Sequence, residues 1–189
     1  MANQDAAFGM KPVRMMGGSP YTGGQSRYRI AANYGTSIFQ GDMVAQVTGG
    51  GVEVHADGGT VPIVGVFNGC SYTDPTTGEQ VFSNYYPAST NASDIIAFVI
   101  DDPNVVFEIQ ADDTFPVADL FGNFDIVYTS SGSTVTGISG AELDVTTGAT
   151  TASLPIKAID ISGDPENSDV ATANTCLLYT SPSPRDKRL

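Results

Sequence analysis

Hydrophobic and polar positions alternate along this chain over short distances, and almost all of the periodicity is of the strand type. Residues 27–31 (RYRIA) and 42–47 (DMVAQV) are β-competent, and Gly49-Gly50-Gly51 breaks the pattern after them. Val52-Glu53-Val54-His55 alternates, which predicts a half-exposed strand with His55 facing solvent. Residues 61–67 (VPIVGVF) are mostly apolar and β-branched, as suits a central strand. Residues 80–86 are aromatic-rich and extended. Residues 94–101 (DIIAFVID) and 104–110 (NVVFEIQ) flank Asp102-Pro103 and predict the heart of the core, joined by a tight connection. In the second of these, Val105, Phe107 and Ile109 share one face, because side chains alternate along a strand. Residues 125–129, 133–138 and 153–161 complete the strand set, the last fitting a buried strand better than a one-sided one. The best helix candidate is short, at 114–121, with Thr114 as cap and Gly122 as stop.

About ten short strands at spacings of roughly 8–12 residues predict an all-β fold. The expected architecture is a single compact β-sandwich or jelly-roll-like barrel with at most one short helix. Residues 1–24 break this pattern. They carry Gly9, Gly17, Gly18, Gly23, Gly24, Pro12 and Pro20 without sustained periodicity, so they predict an extended N-terminal arm ahead of a β domain at 25–175. A length of 189 residues fits one domain with such an arm.

The last fourteen residues, 176–189, stand apart. Residues 176–186 read CLLYTSPSPRD, which resembles a sequencing-library transposase adapter translated as if it were coding. A segment of that origin is expected to be an artefact outside the fold, marking an assembled environmental (metagenome) sequence whose true C-terminus is missing. Without it Cys70 stands alone, and no intrachain disulfide or metal-binding cysteine pattern remains.

Charge sharpens the picture. The chain carries 21 acidic and 8 basic residues, for a net charge of −13. That argues against nucleic acid as a partner, since phosphate binding needs clustered Lys and Arg. Lys11, Arg14, Arg27 and Arg29 lie in the first 29 residues, whereas 30–156 hold 15 acidic residues and no Lys or Arg. A basic arm ahead of an acidic body predicts two surfaces with different partners, the arm crossing onto an acidic neighbour. No run of 18 apolar residues predicts a transmembrane helix, and the N-terminus lacks the pattern of a secretory signal.

Motifs for catalysis are missing. No Gly-x-Ser-x-Gly elbow, His-Glu-x-x-His or phosphate loop occurs, and Cys70 has no basic neighbour in sequence to lower its pKa. Asp101-Asp102 and Asp112-Asp113 fall at opposite ends of one predicted strand, so they do not form a facing carboxylate pair. Asp164, Glu166, Asn167 and Asp169 supply hard oxygens for calcium, but their spacing misses the EF-hand pattern and reads as a solvated turn. No enzyme activity, cofactor or metal is expected.

Three stretches resemble one family. They are the opening NQDAAFGMKPVR at 3–14 followed by Gly18 and Pro20, then Asp101-Asp102-Pro103 running into FEIQ at 107–110, and GSTVTGISGAELD at 132–144 followed by 150–156. Together they are similar to head decoration, or cement, proteins of tailed bacteriophages, over roughly residues 5–165. The resemblance implies a compact jelly-roll-like β fold outside the capsid and no enzymatic activity. It also implies a virion location, with assembly in the bacterial host cytoplasm. The partner would be the major capsid protein, bridged across neighbouring subunits, and the chain itself a dimer or trimer on a symmetry axis. Lys11, Arg14, Arg27 and Arg29 are the expected arm contacts, with Phe8, Met10 and Val13 as apolar anchors. Family members run on to a further strand, which the adapter-like segment would replace here. The rival expectations are another phage or cell-surface structural protein, such as a tail component or filament subunit whose arm completes a neighbour's sheet, and a carbohydrate-binding module.

Overall fold

A computed structural model describes residues 3–58, 61–150 and 154–180. The all-β expectation holds. Fourteen strands are formed among these residues. They are β1 (Lys11–Met15), β2 (Ser26–Arg29), β3 (Ile38–Phe39), β4 (Met43–Gln46), β5 (Val52–Val54), β6 (Ile63–Thr73) and β7 (Gln80–Ser83). Then come β8 (Tyr85–Tyr86), β9 (Ile96–Ile100), β10 (Val105–Gln110), β11 (Asn123–Tyr128), β12 (Ala141–Ala149), β13 (Ile156–Ile161) and β14 (Cys176–Thr180).

Two large sheets pack as a sandwich. One has the order β1-β10-β14-β13-β11-β12, the other β2-β9-β6-β4-β5 with β7 on the far part of β6. The first sheet curls back on itself, because Ala111 just after β10 bridges Leu143 on β12. A two-stranded ribbon, β3 with β8, is a separate small sheet that packs on the second.

The second sheet is covered on both faces, and alternation decides which residue serves which core. Met43, Ile63, Val66 and Ile100 face the first sheet and pack with Phe107, Ile109, Phe124, Ile126, Leu143, Ile156, Leu177 and Tyr179. Val44, Phe67, Cys70, Ala97 and Val99 face the other way, onto Ile30, Ile38, Tyr86 and Ile95. This double burial is why the chain is continuously apolar there rather than alternating. Gly65 lies in β6 where β9 comes closest, and a Cβ on it would stand 2.3 Å from the Ile100 carbonyl oxygen.

Several expectations need correction. Residues 133–138 are not a strand. The Ser133 hydroxyl accepts from the backbone N–H of Val135 and Thr136, holding the segment in turns, and Gly137 has a φ of 73°. The strand lies after it, as β12. The helix at 114–121 shrinks to one 3-10 turn at Val117–Asp119, because Pro116 precedes it and Phe121 leaves it at a φ of 70°. Residues 80–86 split at Asn84 into β7 and β8, which join different sheets. In β13, Ile156 and Ala158 are buried while Lys157 is exposed, so this strand is one-sided after all. His55 is 1% exposed instead of facing water. Its N–H donates to the Met43 carbonyl at 2.8 Å, and its own carbonyl accepts from the Tyr128 hydroxyl at 3.1 Å.

Two corrections concern the ends of the chain. The N-terminal segment is extended, but it lies on its own domain, with β1 antiparallel to β10 from Lys11 opposite Glu108 to Met15 opposite Val105. At the other end, Cys176–Thr180 is not outside the fold. It forms β14, between β10 and β13 and paired with both. The reason is physical: CLLYT is extended and β-competent, so it satisfies the backbone groups of both neighbours and drops Leu177 and Tyr179 into the core. Residues 181–189 lie outside the described residues.

Candidate interaction surface

Topology places the four arm cations on two outer strands. β1 is the outermost strand of one sheet and β2 the outermost strand of the other. Their partners β10 and β9 are joined by the short connection at 101–104, so both outer edges border the same flank. The Met16 N–H donates to the Asn104 carbonyl at 2.7 Å, and Ser26 and Tyr28 donate their hydroxyls to the Asp101 carboxylate at 3.0 and 2.8 Å. Lys11 and Arg14 lie on β1, and Arg27 and Arg29 on β2. Lys11, with its side chain 67% exposed, sits 3.7 Å from Glu108, an ion pair too solvated to contribute much. Arg27 lies 6.0 Å over the Phe98 ring, a cation–π contact that steadies it along the strand. Arg29 is exposed and Arg14 half-buried.

The apolar anchors divide. Val13 is 43% exposed and open to a partner. Phe8 is half-buried and lines a groove of about 200 Å³ with Pro12, Gln40, Asn68 and Ile138. Met10 is 3% exposed and belongs to the chain's own core, so it is no partner contact. It is drawn in because Gly9, at a φ of 67°, lets the chain pass against Ser139 and the Gly41 carbonyl, where a Cβ would stand 2.6–2.8 Å from neighbouring atoms. The Met10 N–H then donates to the Gly41 carbonyl at 2.9 Å.

Contacts of Asn3 and Gln110 were not foreseen. The Asn3 side-chain amide donates to the carbonyls of Asp169 and Ala173, both at 2.9 Å, and to the Thr175 hydroxyl at 3.3 Å. Gln110, fully buried on β10, donates to the Gln4 carbonyl at 2.6 Å and accepts from the Ala6 N–H at 2.9 Å. Partners more than 100 residues apart leave no local signal in a sequence. Exposed apolar side chains add Phe82 at 71%, Phe121 at 68% and Val135 at 94% to the outer surface.

A second feature surrounds Asp42. A cavity of about 600 Å³ is lined by Thr36, Ser37, Asp42, Tyr128, Ser131 and Thr134. The Asp42 carboxylate accepts from the Phe39 N–H at 2.7 Å and from the Ser139 hydroxyl. Burial outweighs these bonds and pushes its pKa up to about 6. The Phe39 ring is stacked on Tyr85 at 5.7 Å and backed by Gly132, so it offers no open platform for a sugar. Asp101-Asp102 and Asp112-Asp113 do flank β10 at its two ends. Asp164 and Asp169 turn back on the chain, accepting from the N–H groups of Glu166 and Ala171. Among the described residues, no helix is long and apolar enough to cross a membrane. Compared with family models, with curated proteins and with solved structures, the chain matches none.

Proposed function

We propose that the chain is a virion structural protein that binds the outside of an assembled phage capsid and stabilises it by bridging neighbouring capsid subunits. The observation that carries this reading is the flank: four of the five basic residues ahead of residue 176 border one side of an otherwise acidic β body. An acidic body gains nothing from DNA inside a shell, whereas a basic flank with Val13 and Phe8 beside it suits an acidic protein surface. Binding only to the assembled form stabilises that form by mass action, with no chemistry required.

The test uses shells assembled from a tailed-phage major capsid protein. Wild-type protein should co-sediment with them, and its affinity should fall as salt rises. The variant K11Q/R14Q/R27Q/R29Q should bind about tenfold or more weaker, with a flatter salt dependence. Equal binding by wild type and variant across the salt series overturns the electrostatic account. Absence of binding at any salt overturns the capsid reading.

A self-assembling tail or filament subunit is the second reading. What favours it is β2, which among the described residues pairs only with β9 and leaves an outer edge for strand addition. Filaments formed by the purified protein alone, seen by electron microscopy, would select it.

A further inference from the structure

β14 holds an unusual place. It is an inner strand of its sheet, hydrogen-bonded on both sides, yet it reaches that place across a connection from 162 to 175 that contains neither strand nor helix. Its neighbours, β10 and β13, are remote from each other in sequence. The strand is seated by its backbone and by buried side chains alike. Five register pairs join it to β10, from Val106 opposite Thr180 to Gln110 opposite Cys176, and four more join it to β13. Leu177 and Tyr179 fill the core, but the Tyr179 hydroxyl is fully buried and meets no hydrogen-bond partner among the described residues. A buried hydroxyl without a partner costs stability, so this strand is held less firmly than the slot could hold one.

The connection is fastened from outside by the N-terminal segment. Asn3 donates to Asp169, Ala173 and Thr175, and accepts at its Oδ1 from the Asp169 N–H at 3.2 Å. The Gln4 N–H donates to Asn167 Oδ1 at 2.7 Å. Gln110 ties Gln4 and Ala6 to the end of β10, beside the point where β14 enters the sheet. Residues 3–6 therefore act as a clasp over the hinge of β14.

We infer that the slot between β10 and β13 is a strand-exchange site, in which the 176–180 strand of a second copy seats in place of the chain's own and the Asn3–Ala6 clasp governs how often the slot opens. The occupant that fits is a second copy, because it offers the same register pairs on the same hinge. Strand addition draws its affinity from the main chain and its selectivity from alternate side-chain pockets. Exchange of an identical element between copies changes few contacts and so costs little. This inference does not depend on the capsid reading.

The test exploits Glu108 and Leu178, which are directly opposite each other and half-buried. Directly opposed residues of an antiparallel pair have Cα atoms about 4.5–5.5 Å apart, within disulfide range. One population of full-length protein carries E108C and the other L178C, with different tags, both in a C176A background. The remaining native thiol, Cys70, is buried and its pKa is pushed up to about 12, so it stays silent. Mixed and oxidised, the two populations should form a disulfide-linked heterodimer. Adding N3A to both should raise its initial rate about tenfold, as expected for the loss of a hydrogen-bond cluster. The chain carrying both cysteines should close within itself, fixing the register. If that chain closes while the mixture yields no heterodimer, even with N3A, exchange is overturned. If the double-cysteine chain does not close, the register is wrong and the inference falls with it.

Discussion

Tyr179 and Asp42 are the two residues whose burial runs against their chemistry. At Tyr179 the ring contributes core volume while the hydroxyl has no partner among the described residues. Tyr179→Phe keeps the ring and removes the unmet group. It should stabilise the fold by about 1 kcal/mol, raising the melting temperature by about 2–4 °C for a chain of this size. A lower melting temperature would show that the hydroxyl is satisfied. At Asp42 the carboxyl's folded pKa is about 6, against an ordinary value of 3.8. A folded value above the unfolded one means that stability is highest when the group is protonated and is lost as pH rises through about 6. The loss amounts to roughly 2–3 kcal/mol, and burial shifts Asp112, Asp125 and Glu142 in the same direction. Chemical denaturation should therefore show greater stability at pH 5 than at pH 7.5, and Asp42→Asn should flatten that slope. An unchanged slope in the variant would remove Asp42 as its cause. Neither residue was singled out in the sequence as a buried polar group. Asp42 looks like any strand-flanking aspartate, and its burial follows from Phe39 and Ser139 closing over it.

At the level of elements, the strands that the sequence marked well are those whose partners are near in the chain or whose apolar runs are long. β9 and β10 stand where alternation and the Asp102-Pro103 turn placed them. β6 also starts close to its expected position, and it runs on to Thr73 because β7 and β9 both pair with its second half. β1, β3, β12 and β14 were not marked. β1, β3 and β14 are built on pairings with strands distant in the chain, and β1 and β12 are too rich in Pro, Gly, Thr or charge to carry a strand signature alone. Close approach between strands is just as silent in a sequence until the sheet is known. Gly65→Ala should cost about 2 kcal/mol or more, because the new methyl meets the Ile100 carbonyl rather than a side chain that can move. A denaturation midpoint within a few tenths of a kcal/mol of wild type would mean that β6 and β9 separate more readily than the sheet implies.

For the molecule as a whole, the class of fold, the acidic body and the concentration of positive charge near one end are legible in the chain before it folds. These are properties of composition and short-range alternation, which need no partner to be read. What that charge borders depends on how the two sheets assemble. Lys11, Arg14, Arg27 and Arg29 are near in sequence, but they flank one side because β1 and β2 end up as the outer strands of two different sheets joined at 101–104. The same folding took Met10 and His55 out of reach, placed Asn3 against a segment 166 residues away, and seated Cys176–Thr180 in the middle of a sheet. The physical reason is common to all of these. An inner strand and a buried side chain are defined by what pairs with them from elsewhere in the chain, and a local pattern records which face a residue prefers but not which neighbour will cover it.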